Sequence, residues 1–309
     1  MPSRFLQIGT RGSPLALWQA RHVQALLAAA HGLAGEAIAL KVITTSGDRI
    51  TDKPLRGFGG KGLFTKEIDE ALLDGSVDLA VHSMKDLPTR LPDGLTIAAV
   101  LPRADVRDAF ISTKAGSLAD LPPGAIVGTS SLRRAAQVGR RRPDLRVIDF
   151  RGNVETRLKK LGEGKADATL LALAGLERLG LAAHATSILS TEEMLPAVAQ
   201  GAIGVTCRTD DDTTRALLDA LNDATSATAI ACERAFLARL DGSCKTPIAG
   251  LAEIENGQLR FRGMILTPDG SAWFETERTE AASRAERIGT EAGEALLQRA
   301  GPTFLSSLV

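Results

Sequence analysis

Val77-Asp78-Leu79-Ala80-Val81-His82-Ser83-Met84-Lys85-Asp86-Leu87-Pro88 is the stretch whose reading decides the fold. Its apolar run from Val77 to Val81 is too short for a helix and predicts a buried strand. The run gives way at once to His82, Ser83, Lys85 and Asp86, and Pro88 opposes continuation. Polar side chains just past the carboxyl end of a buried strand are where open α/β sheets keep their chemistry.

Working outward, the same grammar recurs. Phe5 to Gly9 predicts a strand, Thr10-Arg11-Gly12 a turn, and Ser13-Pro14 a helix start, with a capping hydroxyl before proline at the first helical position. Leu40 to Thr44 predicts the next strand, followed by a long glycine-rich connection, 45–62, and a helix over about 64–73. The pattern pauses around Leu101 to Asp105. A second α/β unit then follows. It has strands at 125–128, 145–150 and 168–173, with Thr129-Ser130-Ser131-Leu132-Arg133-Arg134 and Arg151-Gly152-Asn153 at the strand-to-helix turns. A crossover with a further strand spans 196–206, and helices cover 214–221 and the stretch bearing Ile230 and Phe236. After that the signals turn antiparallel: strands at 251–254, 259–266 and 272–276 around Asn256-Gly257 and Pro268-Asp269-Gly270, then an amphipathic helix over about 282–299. The fold class expected is α/β, with two alike α/β units and a smaller α+β C-terminal domain.

The bulk numbers narrow the function. A chain of 309 residues is too long for one core. Lys plus Arg and Asp plus Glu are both 37, so no net field favours nucleic acid or a membrane surface. Aromatic residues make up 4%, with no tyrosine, which argues against a base-stacking platform. No apolar run reaches spanning length, and the start lacks a signal-peptide core. Cys207, Cys232 and Cys244 form no close pair, so neither a disulfide framework nor a zinc site is expected. These readings point to a cytoplasmic, metal-free protein.

Arg11, Arg133, Arg134 and Arg151 all fall between a strand end and a helix start. Free backbone N–H groups and the helix dipole favour anions there, and the guanidinium fork matches a carboxylate. Any one of them could be a solvated surface residue. Their repetition at equivalent turns points to an arginine-lined cleft between two α/β domains, built for a polyanion. Arg140-Arg141-Arg142 reads as a solvated face. Gly57-Phe58-Gly59-Gly60-Lys61-Gly62 formally fits a dinucleotide fingerprint but lacks the strand-turn-helix setting, and Gly62 replaces the Ser or Thr of a P-loop. Lys61 and Phe64 there are candidate substrate contacts. Cys207 and Cys232 sit among apolar residues and read as inert core thiols. Cys244, in a Gly/Ser turn beside Lys245, can be reactive or merely exposed. His82 reads as a satisfied partner rather than a base. Asp86 is then the carboxylate set among cations: it stays ionised and, about 4 Å from a developing cation, contributes on the order of 4 kcal/mol at an effective dielectric near 20.

Several long stretches, in order, resemble the porphobilinogen deaminase (hydroxymethylbilane synthase) family. They are Ile8-Gly9-Thr10-Arg11-Gly12-Ser13-Pro14-Leu15, Gly59-Gly60-Lys61-Gly62-Leu63-Phe64, Val81-His82-Ser83-Met84-Lys85-Asp86, Gly128-Thr129-Ser130-Ser131-Leu132-Arg133-Arg134, Arg151-Gly152-Asn153-Val154 and Leu240-Asp241-Gly242-Ser243-Cys244. The resemblance implies two domains similar to type II periplasmic binding proteins, 1–101 with 201–219 and 106–196, and a third domain, 224–309. It implies a dipyrromethane cofactor held by a thioether to Cys244, and an enzyme that joins four porphobilinogen units head to tail, losing ammonia each time, to give hydroxymethylbilane. Asp86 is implied as catalytic. Arg11, Ser83, Lys85, Thr129, Ser131, Arg133, Arg134, Arg151, Gly152, Arg157 and Arg178 are implied to bind cofactor or substrate carboxylates, and Lys61 and Phe64 belong to the active-site loop. The implied protein is a monomer whose product passes to uroporphyrinogen-III synthase. The rival from another class is a non-catalytic two-domain anion-binding protein, which needs neither Cys244 nor a third domain.

Overall fold

The structure, a computed structural model, describes residues 6–49, 63–240 and 247–306. Lys61 and Cys244 lie outside them. The chain forms two compact units, Met1–Ala104 with Ala202–Ala227, and Asp105–Gly201 with Thr228–Val309. In chain order the first unit opens with β1 (Leu6–Thr10), α1 (Pro14–His31), β2 (Ile38–Val42), the single-turn α2 (Ser46–Arg49), α3 (Lys66–Leu73), β3 (Leu79–Ser83) and β4 (Leu95–Val100). The second adds β5 (Asp108–Ser112), β6 (Ile126–Gly128), α4 (Leu132–Arg141), β7 (Arg146–Ile148), α5 (Val154–Gly162), β8 (Ala168–Ala172), α6 (Leu173–Arg178) and β9 (Ser187–Ile188). The chain then returns for β10 (Ile203–Arg208) and α7 (Asp212–Asp219). It ends with α8 (Ala224–Arg239), β11 (Ile248–Glu255), β12 (Gln258–Leu266), β13 (Trp273–Ala281) and α9 (Ala285–Ser306).

Both larger sheets have five strands on one plan, β2-β1-β3-β10-β4 and β7-β6-β8-β5-β9. In each, three strands run parallel and the fourth is antiparallel. That fourth strand follows a chain crossing: β10 comes just after the return at Ala202, and β5 just after Asp105. The third sheet, β11-β12-β13, is wholly antiparallel. Two alike α/β sheets and a small antiparallel one with helices are the architecture read from the sequence. Within the second unit, Ala136 of α4 and Leu195 pack with Ala249, Leu251, Met264 and Leu266, so the second α/β sheet and the three-stranded sheet share a buried seam.

Local chemistry explains the elements. Ser13 caps α1 by accepting from the Ala16 N–H, and Asn153 caps α5 by accepting from the Thr156 N–H. Asn256 and Gly257 both take positive φ, 50° and 75°, as the tight turn between β11 and β12 requires. The structure departs from the sequence reading at several elements. β3 extends through His82 and Ser83 because these pair with Gly204 and Ile203 of β10. β4 and β5, on either side of the pause at 101–105, are strands the sequence did not signal. The last helix runs to Ser306 across a break at Gly301, whose φ is 68°.

Candidate functional site

In the first unit, parallel pairing of β1 with β2 and β3 brings three strand ends to one sheet edge. The end of β1 leads to Arg11, that of β2 to Asp48, and that of β3 to the segment Ser83 to Asp86. Arg11, in the turn before α1, pairs with Asp48 and lies over the Phe64 ring, 4.3 Å from its centroid. Asp48 also accepts from the Thr45 hydroxyl at 2.8 Å and the Thr45 N–H at 3.2 Å. Burial acts to raise the Asp48 pKa, but the bonds from Arg11 and Thr45 outweigh it and hold the carboxyl below its ordinary range. Asp48 was missed in the sequence, where it was one polar residue in a glycine-rich loop.

His82 is buried and its Nε2 lies 3.0 Å from the Thr206 hydroxyl. Burial, helped by the nearby Arg11 charge, lowers its pKa to about 4, so at neutral pH it is uncharged. It is the satisfied partner expected. Ser83 closes β3, and its hydroxyl accepts from Nε2 of the buried Gln19 at 2.9 Å. The chain then makes one tight turn, Met84–Asp86. Met84 is buried, Lys85 half-buried and Asp86 exposed, so the turn sinks its apolar member and presents the carboxylate to solvent.

The second unit repeats the design. Its parallel strands β6, β7 and β8 end at the segments carrying Thr129 to Arg134, Arg151 to Arg157, and Arg178. Ser131 caps α4 through the Arg134 N–H, and the Thr129 hydroxyl accepts from the Ser131 N–H. Arg133 and Arg134 are not the free forks the sequence suggested. Both are about 5% exposed, and their Nη2 atoms reach the wholly buried Asp108 at 2.8 and 2.7 Å. Gln200 also donates to that carboxylate, at 2.9 Å. Burial alone would raise the Asp108 pKa, but two adjacent guanidiniums drive it far below the usual range. The Nε atoms of both arginines find no hydrogen-bond partner among the described residues. Arg157 donates to the Gly152 carbonyl at 2.8 Å, the Arg151 carbonyl accepts from Lys160, and Arg178 donates to the Gly201 carbonyl at 2.7 Å. Gly152 has a φ of 126°, a conformation that suits glycine.

The run Arg140-Arg141-Arg142 is only partly the solvated face expected: Arg141 is exposed, whereas Arg140 and Arg142 are half-buried. Arg140 stacks 4.1 Å from the Trp273 ring centroid and pairs with Glu275, while Arg141 donates to the Glu192 carbonyl. Arg142 donates to the carbonyls of Leu118, Ala119 and Leu121 and pairs with Asp144. Cys207 and Cys232 are buried, and desolvation pushes their thiols up to about 11 and about 12, as inert core residues require.

Each unit therefore places basic side chains and a capped helix start at the carboxyl edge of its parallel strands, the edge at which open α/β folds keep their sites. The family model described as "Porphobilinogen deaminase, dipyromethane cofactor binding domain" matches residues 6–216, and that described as "Porphobilinogen deaminase, C-terminal domain" matches residues 227–298. A porphobilinogen deaminase of Nitrobacter winogradskyi is 58% identical over 299 residues, 97% of this chain and 95% of the relative. A chloroplastic porphobilinogen deaminase of Oryza sativa subsp. japonica is 55% identical over 308 residues, 98% of this chain and 86% of the relative. The chain belongs to the porphobilinogen deaminase family. Among solved structures, a periplasmic substrate-binding protein of an ABC transporter from Coxiella burnetii is only loosely similar, with a TM-score of 0.45 and 15% identity covering 74% of this chain and 96% of that one.

Proposed function

We propose that this chain joins four molecules of porphobilinogen head to tail, releasing ammonia at each step and hydroxymethylbilane at the end, from a dipyrromethane primer carried on Cys244. The observation that carries this reading is membership of the porphobilinogen deaminase family over both matched regions, the C-terminal one included. A non-catalytic anion-binding protein of two domains accounts for neither the C-terminal region nor the cofactor-binding description of the first.

The residues suit the cofactor. Each pyrrole of a dipyrromethane carries an acetate and a propionate, and the second unit buries two guanidiniums against one carboxylate, with both Nε atoms unmatched among the described residues. An anionic group would offset that surplus of positive charge. Thr129, Ser131, Arg133, Arg134, Arg151, Gly152, Arg157 and Arg178 would hold its carboxylates in the second unit, and Arg11, Ser83 and Lys85 in the first. When bound, the cofactor supplies a terminal pyrrole whose free α-carbon is the nucleophile.

Asp86 works on the incoming molecule. As the aminomethyl C–N bond breaks, positive charge grows on the substrate pyrrole; the carboxylate stabilises it and assists proton transfer to the departing amine. The substrate's methylene carbon would then bond to the α-carbon that the cofactor offers, with loss of that carbon's proton. After the fourth addition, water completes the release of hydroxymethylbilane. Lys61 and Phe64 contact the substrate from the active-site loop. Among the described residues no helix is long and apolar enough to cross a membrane. We place the enzyme in the cytoplasm as a monomer, with uroporphyrinogen-III synthase receiving its product.

Intact mass spectrometry tests the assignment. The purified protein is expected to exceed its sequence mass by one dipyrromethane unit, and Cys244→Ser to lack that increment. Turnover by a protein of unmodified mass would overturn it.

A further inference from the structure

We propose that Gly204 is a positioning residue for Asp86, acting through the side chain of Met84; this rests on the catalytic reading of Asp86 given above. Gly204 lies on β10 opposite His82 of β3, one strand away from the turn that carries the carboxylate. A Cβ built on Gly204 would fall 3.0 Å from the Met84 Cγ and closer still to its Sδ. No real Cβ sits that near a thioether, so the missing side chain makes the space that Met84 fills. Met84 is 1% exposed and cannot swing aside into solvent. Its backbone is tied as well: its N–H donates to the Ala202 carbonyl at 3.0 Å, and its carbonyl accepts from the Leu87 N–H at 3.3 Å.

Those contacts leave the turn little freedom. Met84 anchors it by backbone and side chain to the same strand, while Ser83 before it is tied to Gln19. Asp86 is two residues further on, exposed, and held in place by this anchorage. A methyl group at position 204 requires the buried Met84 thioether to move, and in the proposal part of that movement reaches the carboxylate through the turn. The rate of a step that depends on placing one charge against a developing cation is sensitive to such shifts. Gly204 has no side chain to offer substrate or cofactor; its proposed role is to let Met84 seat.

The test uses the holoenzyme. Gly204→Ala is expected to keep the cofactor mass increment and the KM for porphobilinogen while kcat falls on the order of a hundredfold. Its crystal structure is expected to show the Met84–Asp86 turn displaced from β10. Adding Met84→Ala removes the clashing thioether and keeps the backbone bonds of residue 84, which are expected to hold the turn in its original position and restore most of the lost kcat. It does so while denaturing at lower temperature, because a buried side chain has been truncated. Rate and stability moving in opposite directions is a result that a merely structural role does not produce. Full kcat in Gly204→Ala, an unmoved turn, or no recovery in the double variant would each overturn the proposal. If Gly204→Ala does not accumulate folded, the double variant is compared with Met84→Ala: equal kcat supports the mechanism and a lower kcat in the double refutes it. Wild-type turnover in Asp86→Asn would instead sink the catalytic reading of Asp86, and the position of the turn in the Gly204→Ala crystal would still decide the mechanical claim.

Discussion

Arg11 is closed on Asp48: its Nε lies 3.2 and 3.3 Å from the two carboxylate oxygens, and its Nη2 makes a further contact with one of them. The pair joins the turn after β1 to the segment after β2, and Phe64 stacks on the same guanidinium. Asp48→Asn keeps the shape and removes the charge. Because the folded pKa of Asp48 is depressed, its contribution to stability is present above the ordinary carboxylate pKa of about 4 and fades as pH falls through the lower folded value. Wild type is expected to exceed Asp48→Asn by about 1 kcal/mol at neutral pH, since the pair is partly exposed. Urea midpoints measured across pH should converge in acid; a gap that persists there would assign the effect to shape rather than charge.

His82 titrates in the opposite sense to a useful base. Its neutral form is the one the fold accepts, with a pKa of about 4 against an ordinary 6.5. Stability from this group is complete above about pH 6.5 and is lost as pH falls from there towards 4, roughly 3 kcal/mol over the window. His82→Gln is expected to flatten that part of the stability-versus-pH curve and to leave no change near pH 6.5 in the rate profile. A rate inflection that disappears with His82 would make it a participant in proton transfer.

Asp108 neutralises two buried arginines at once, so its removal leaves more charge unpaired than the loss of either partner. Asp108→Asn is expected to cost on the order of 3–5 kcal/mol, read as a lowered chemical-denaturation midpoint. Arg133→Met, which leaves Arg134 and Asp108 as a pair, is expected to cost less. The reverse order would mean that the carboxylate is not the hub of this network.

Much of this was legible because it is local. Ser13-Pro14 and Asn256-Gly257 state their caps and turns within a few residues, and the run before His82 states its strand. The carboxyl-edge arginines could be placed from the same grammar. What could not be read depends on partners far along the chain. Asp108 meets Arg133 and Arg134 across 25 and 26 residues, and nothing near it marks a buried counter-ion. Arg142 looked solvated because the carbonyls it satisfies belong to residues 118, 119 and 121. β5 was hidden because it opens on that same buried aspartate, a polar residue where a strand core is expected to be apolar.

Cys207 and Cys232 are both buried, with thiols shifted far above neutrality. The thiolate, which is the reacting form, is scarce at pH 7. Native protein treated with iodoacetamide should therefore carry no label on either residue, and unfolding in urea should expose both. Labelling of Cys232 in the native state would reveal opening of the α8 helix that the packed structure does not suggest.

Asp86 is the sharpest single test of the chemistry. Asp86→Asn preserves size at an exposed position, so neither the turn nor the fold has reason to change, and the cofactor mass increment should remain. On the proposed mechanism, what disappears is the negative charge that stabilises the cation formed as ammonia leaves. If that charge supplies about 4 kcal/mol in a partly screened site, turnover should fall by roughly three orders of magnitude. The deficit should lie in kcat rather than KM, because the lost interaction strengthens only as the C–N bond breaks. Single-turnover ammonia release distinguishes this from slow product departure: the first ammonia should already be slow. A normal first turnover followed by a stall would move the role of Asp86 from charge stabilisation to accommodating the lengthening chain.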